Sequence, residues 1–409
     1  MKIVKAISMP VIPAVIFLIC ALSIQGCATF RPRHAVPLDF SGKVFIDGMP
    51  NICTDIDNPD PVVMQQSLID SFKQEGPINL LGNKVYPVLA ISGGGANGAY
   101  GAGLLSGWSK EGSRPVFKII TGVSSGSIIA LYTFLGKEYD ESLEKFFTTT
   151  STKDVMRQND IFSMLFGDSL MSSAPMIKKI TGIVDGKLVM KVAEEHNRGR
   201  RLFVGTVNLD SQEFVVWDMG ALACKGDAES VKMFRKILLA SCSLPMTFPP
   251  VHFKVTSTAG EIYDEMHVDG GTIRGVFYID RLTKNMEGAA KFLGIDPSKY
   301  KPQIYILSNA YMSPERQQVE DSLVGISIRS LDTVVAAANN GDLYRLYAFA
   351  KRRGLDFNLA YIPSDFMPHP KELFDKEEMK RLFKRGYDDA VDGYKWYKTP
   401  PGYAAEDEK

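Results

Sequence analysis

Residues 88–108 read VLAISGGGANGAYGAGLLSGW, seven glycines in twenty-one residues directly behind an apolar run. Gly93, Gly95 and Gly98 spell G-x-G-x-x-G between an expected strand, Val85 to Ile91, and an expected helix. Glycines so placed let a backbone pass close to a ligand and offer it N–H groups at a helix N-terminus. The ligand is either a pyrophosphate or an oxyanion formed during catalysis. A dinucleotide site needs an acidic residue about 20 positions further on to hold the ribose. The chain there reads KIITGVSSGS, residues 118–127, without one Asp or Glu. A nucleotide cofactor is therefore not expected.

What stands in that place is GVSSG, Gly122 to Gly126, a G-x-S-x-G behind a second apolar run and ahead of a second apolar helix. Strand, turn and helix in this order form a nucleophile elbow, with Gly122 and Gly126 allowing the sharp turn that exposes Ser124. Both glycine motifs then lie at the C-terminal ends of adjacent parallel strands, where open α/β sheets hold their ligands. Backbone N–H groups around Gly93, Gly94, Gly95 and Gly98 are placed to receive an oxyanion generated by Ser124. The serine needs a base, and three residues compete. His369 stands between prolines in DFMPHPKE, and His267 and Asp269 share HVDGG, residues 267–271. Asp269 is followed by Gly270 and Gly271, a tight turn in which a partner backbone can approach.

The order GGGANG, GVSSG, DGG resembles that of the patatin-like phospholipases. ASCSLPMTFPPV (residues 240–251) and NLDSQEFVVWDMG (residues 208–220) are similar to two further blocks of that family. The resemblance runs from about Val85 to Ala310. It implies a single three-layer α/β/α domain with a mainly parallel central sheet. It also implies that Ser124 is the nucleophile, Asp269 the base that replaces a His–Asp pair, and the glycine loop the oxyanion hole, with an acyl lipid as substrate. The family's loop commonly carries Arg or Lys before its last glycine, where this chain has Asn97.

Ahead of this domain, Lys2 and Lys5 precede an apolar stretch broken by Pro10 and Pro13, which is the pattern of a signal peptide. It ends in IQGC, similar to a bacterial lipobox apart from the polar Gln25. Residues 1–26 are then the signal, Cys27 the lipidated N-terminus, and residues 27–84 a tether rich in Pro and Asp ahead of a domain over 85–400. Ala28 lacks the aspartate associated with inner-membrane retention, which implies an outer-membrane lipoprotein facing the periplasm.

Composition excludes other classes. The chain has 409 residues, 45% hydrophobic, with 47 basic against 47 acidic side chains, so no field draws it to nucleic acid. Cys53, Cys224 and Cys242 are too few for a disulfide framework, and the scattered histidines form no metal motif, so no metal is expected. From Val85 onward strands and helices alternate, the longest helical stretches being 321–354 and 371–397. The apolar run IFSMLFGDSLM (residues 161–171) reads either as a lipid-facing lid or as loop packing. Asp218 reads as structural, and oligomeric state stays open.

Overall fold

The computed structural model describes residues 33–38, 44–49, 51–57, 62–75, 84–160, 167–278, 300–313 and 316–403. The expected signal peptide, Cys27 and part of the 161–171 run lie outside them. In chain order the elements are β1 (Val44–Ile46), β2 (Cys53–Asp55), α1 (Val62–Glu75), β3 (Lys84–Ile91), α2 (Gly98–Glu111), β4 (Ile119–Val123), α3 (Ser125–Leu135), α4 (Asp140–Thr149) and α5 (Thr152–Val155). There follow β5 (Arg157–Gln158), β6 (Met171–Ser172), α6 (Ala174–Ile183), α7 (Gly186–Asn197), β7 (Arg201–Asn208), β8 (Glu213–Asp218), α8 (Met219–Ala223) and α9 (Ala228–Ser241). The last are β9 (Val251–Ser257), β10 (Ile262–Asp269), β11 (Tyr300–Tyr311), α10 (Leu323–Arg353), β12 (Asp356–Ile362) and α11 (Lys376–Val391).

Five strands, in the order β7-β4-β3-β11-β12, are all parallel. Antiparallel strands β1, β9 and β10 extend this core on the β7 side, and β8 with β2 adds to β7 as well. The parallel strands are apolar on both faces because helices cover both. Leu89, Ile91, Ile120 and Val204 point into one core with α2, α3, α9 and α11. Val88, Ala90, Ile119 and Phe203 point into the other with α1 and α10. This is the three-layer α/β/α arrangement, its parallel part flanked by antiparallel strands.

The glycine-rich run divides its work. Gly103 and Gly107 sit in α2 where α11 crosses, and a Cβ at either would strike the α11 backbone at Phe383 or Tyr387. Glycine in a helix interior costs about 1 kcal/mol. Here that cost is offset by the close approach of two helices. The remaining glycines, Gly93 to Gly101, serve the loop and its seat on β11.

The reading of residues 27–84 as a tether is corrected in part. β1 pairs with β9, β2 pairs with β8, and Leu68, Ile69 and Phe72 of α1 are buried in the second core. β1 and β2 have three residues each, too brief to register as periodicity, and α1 directly follows a run of Pro and Asp that reads as loop. Earlier still, Arg33 locks onto the sheet: its guanidinium donates to Asp210 at 2.6 and 2.9 Å and to Asp264 at 2.6 Å. Among the described residues no helix is long and apolar enough to cross a membrane.

Candidate active site

Strand register brings the two candidate catalytic residues together. Along one edge of β7, Gly205 pairs with Val123, the last residue of β4, and the next residue, Thr206, pairs with Asp269, the last of β10. β8 occupies the other edge of β7 over the same span, so β4 and β10 share one lane and meet end to end. β4 runs up to Ser124 and β10 runs down to Asp269. The Ser124 side chain comes close enough there to favour the charged form of the Asp269 carboxylate.

Ser124 sits at φ 54°, ψ −132°, a conformation that L-residues rarely adopt and that costs about 1–3 kcal/mol. Three contacts hold it. Its N–H donates to Ser241 Oγ at 3.0 Å, and Ser241 Oγ in turn donates to the Gly205 carbonyl at 2.8 Å. Its carbonyl accepts from Ser127 N–H at 2.8 Å and from Ser127 Oγ at 2.6 Å. The flanking glycines are required by crowding: a Cβ at Gly126 would lie 2.8 Å from the Ile91 carbonyl oxygen, and one at Gly122 would lie 2.8 Å from Ala130 Cβ. The turn leaves Ser124 partly exposed at the start of α3.

Asp269 is 3% exposed. Burial pushes its pKa up to about 7, with the nearby Ser124 side chain and the hydrogen bond from Gly271 N–H (2.8 Å) pulling it back. A carboxyl poised near neutrality suits a general base. The block that carries Ser241 also fixes this end, since Asp269 N–H donates to the Ser243 carbonyl at 2.9 Å. Cys242 lies between these two serines. Desolvation and the Asp269 charge both raise its thiol pKa, so it stays protonated and is no rival nucleophile.

The glycine loop passes directly over the serine: a Cβ on Gly93 would lie 3.8 Å from Ser124 Oγ. The expected set of oxyanion donors narrows. Gly93 N–H is taken by the Gly275 carbonyl at 3.1 Å, and Gly98 N–H by the Gly95 carbonyl of a 3-10 turn, Gly95–Asn97. Gly93 and Gly98 are therefore corrected to structural positions. Gly94 (φ 154°) and Gly95 (φ 56°) have no acceptor for their N–H groups among the described residues, and Gly94 is exposed. These two are the donors available to a substrate. Asn97 closes the turn through its N–H to the Gly94 carbonyl at 3.0 Å and brings no cation.

Sequence reading missed what supports the loop. Asn309, at the end of β11 and fully buried, donates from its N–H to Ser92 Oγ (2.8 Å) and from Nδ2 to the Ser92 carbonyl (2.9 Å), and accepts from Gly101 N–H (3.2 Å). Its Cβ would lie 2.7 Å from a Cβ on Gly94. A lone Asn more than 200 residues from the loop gives no sequence signal.

The competing histidines are placed elsewhere. His267 is fully buried, with Nδ1 2.9 Å from Thr206 Oγ1 and Nε2 3.2 Å from Glu265 Oε2. The Glu265 carboxylate can only accept, so Nε2 donates to it and Nδ1 of the neutral ring accepts from Thr206 Oγ1, which itself accepts from Trp217 Nε1. His369 is exposed, its N–H on Glu378 at 3.0 Å. Asp218 caps α8 by accepting from Ala221 N–H at 2.8 Å. No group of three His, Cys, Asp or Glu suited to a metal occurs among the described residues.

Residues 89–278, which run from β3 through the Asp269 turn, match the family model described as Patatin-like phospholipase. They thus carry a patatin-like phospholipase domain, the mark of a family of lipid acyl hydrolases. The crystal structure of VipD from Legionella pneumophila aligns at TM-score 0.34 with 10% identity, over 74% of this chain and 65% of VipD. No curated protein sequence matches the chain.

Proposed function

We propose that the protein is a lipid-anchored serine hydrolase that cleaves carboxylic-ester bonds of phospholipids or related acyl lipids. The observation that carries this reading is the end-to-end meeting of Ser124 and Asp269 beneath the uncommitted N–H groups of Gly94 and Gly95. Ionised Asp269 takes the Ser124 proton as Oγ attacks the ester carbonyl. The resulting oxyanion receives the Gly94 and Gly95 N–H groups, each worth about 3–4 kcal/mol in the transition state. Collapse expels the alcohol, which leaves with the proton from Asp269. Water, deprotonated by Asp269, then attacks the acyl-enzyme, and the fatty acid departs with Ser124 restored. Neither a metal nor a nucleotide is needed for any of these steps. IQGC, with Cys27 as lipid-bearing residue, supports attachment to the bacterial outer membrane.

The test is fatty-acid release from phospholipid by the purified chain. Ser124→Ala and Asp269→Asn should each abolish it, while His267→Gln and His369→Gln retain most of it. Activity that survives Asp269→Asn but is lost with either histidine would move the enzyme to a Ser-His-Asp mechanism.

A further inference from the structure

α10 is about twice as long as β12, the strand it leads into. Its 31 residues span about 46 Å, whereas the seven residues of β12 cover about 23 Å. It connects parallel strands β11 and β12, so it runs against them, and its N-terminus lies at the C-terminal end of the strands, the end that carries Ser124. Its buried residues run only from Asn339 to Ala350, and none of residues 323–338 is buried. The first half of the helix therefore projects beyond the sheet, next to the catalytic turn: Val335 Cγ1 would be 3.9 Å from a Cβ on Gly271.

This projecting half is apolar where water should demand the opposite. Leu323 is 83% exposed, Val334 58% and Ile326 50%, with Val324 and Ile328 also exposed. Between Ser322 and Ala338 the charged residues are Arg329 and Asp332 alone, and the remainder is aliphatic, small or hydroxylated. At 100° per residue, Leu323 and Val334 fall on one side, Val324 and Ile328 on another and Ile326 on a third. A protein partner covers one face of a helix and leaves the opposite face polar. Arg329 and Asp332 share the remaining side further in, but the tip itself, Leu323 to Ile328, carries no charge on any side, which suits end-on immersion.

A second observation bears on the same end. Arg33 is held by Asp210, in the turn after β7, and by Asp264, near the start of β10. Both carboxylates stand beyond the C-terminal ends of the parallel strands, on the Ser124 side. Cys27 lies six positions before Arg33, a reach of about 20 Å at most. An anchor at Cys27 would hold this end of the protein, and no other, against the bilayer.

From these two placements we infer that the projecting half of α10 is a lipid-docking element, which inserts tip-first into the bilayer and sets the Ser124 opening against it. This rests on the acyl-lipid reading above. Acidic Glu320 and Asp321 precede the tip, so docking is apolar and draws nothing from anionic head groups.

The full chain carrying Cys27→Ser, which has no lipid of its own, is mixed with phosphatidylcholine vesicles and sedimented. It should bind at low and high salt alike. Adding Ile326→Asp with Val334→Asp should lower the bound fraction at least tenfold, with fluorophosphonate labelling of Ser124 in solution unchanged. Because that double variant could misfold, a Leu323→Trp chain is tested beside it. Its added fluorescence should be quenched by brominated lipid, while that of Val116→Trp, ahead of β4 at the opposite end of the sheet, should not. Equal vesicle binding with and without the two aspartates, loss of binding in salt, or quenching at Val116 alone would overturn the proposal. So would a dimer that the two aspartates dissolve in a chain that ignores vesicles. If Ser124 fails to label while Leu323→Trp is still quenched, the catalytic reading fails and the docking stands.

Discussion

Asp269→Asn should make the protein dead and more stable at once. A carboxyl moved by burial from 3.8 to about 7 is held charged at alkaline pH against its environment. The sign follows from the raised pKa: the folded state binds this proton more tightly than the unfolded chain, so stability falls as pH rises from about 4 through about 7 and then levels. At about 1.4 kcal/mol for each tenfold change in affinity, the penalty reaches about 4 kcal/mol at pH 8 and shrinks below about 1 kcal/mol at pH 4. Asparagine has the shape of the neutral acid and still accepts from Gly271 N–H, so it removes the penalty without opening a cavity. Urea unfolding of the two proteins at both pH values measures the difference. The variant should gain about 2–4 kcal/mol at pH 8 and almost nothing at pH 4. A variant that is less stable at pH 8, or a gain independent of pH, would refute the claim that Asp269 is held ionised at a cost.

Three further outcomes follow from the same geometry. Because Asp269 must be ionised to take the serine proton, kcat/KM should reach half its maximum near pH 7 and drop tenfold for each pH step below, which a pH–rate profile reads directly. Gly94→Ala drives its methyl into Asn309 and should lower kcat about 100- to 1000-fold, whereas Gly95→Ala meets open space and should cost about 1–2 kcal/mol of stability with its N–H still in place; steady-state kinetics and thermal melts separate the two. Ser241→Ala leaves the Ser124 N–H without an acceptor and should cost about 1–3 kcal/mol of stability while slowing the enzyme on the order of tenfold, with KM little changed.

The part of the fold that carries the site was legible because its signals are local. Long apolar runs mark β3 and β4, glycines punctuate their ends, and an aspartate opens α9 where Asp227 accepts from Ser230 N–H. Asp269 was legible by its place after Ser124 and by the two glycines that follow it. Three things were not. β1 and β2 are three residues each, and their partners lie more than 150 residues away, so only tertiary pairing defines them. The meeting of β4 with β10 along one edge of β7 is a matter of register, which no single strand encodes. The division of the glycine loop into taken and free N–H groups depends on Gly275 and on the turn at Asn97, which the spacing of glycines cannot convey.

The account turns on Ser124 as the nucleophile. A fluorophosphonate probe, which phosphonylates activated serines, followed by digestion and mass mapping, examines that residue alone. The modification is expected on the peptide containing Ser124, slowed strongly by Asp269→Asn and absent in Ser124→Ala. Labelling that persists in Ser124→Ala, or an intact, folded protein that never reacts, would contradict it.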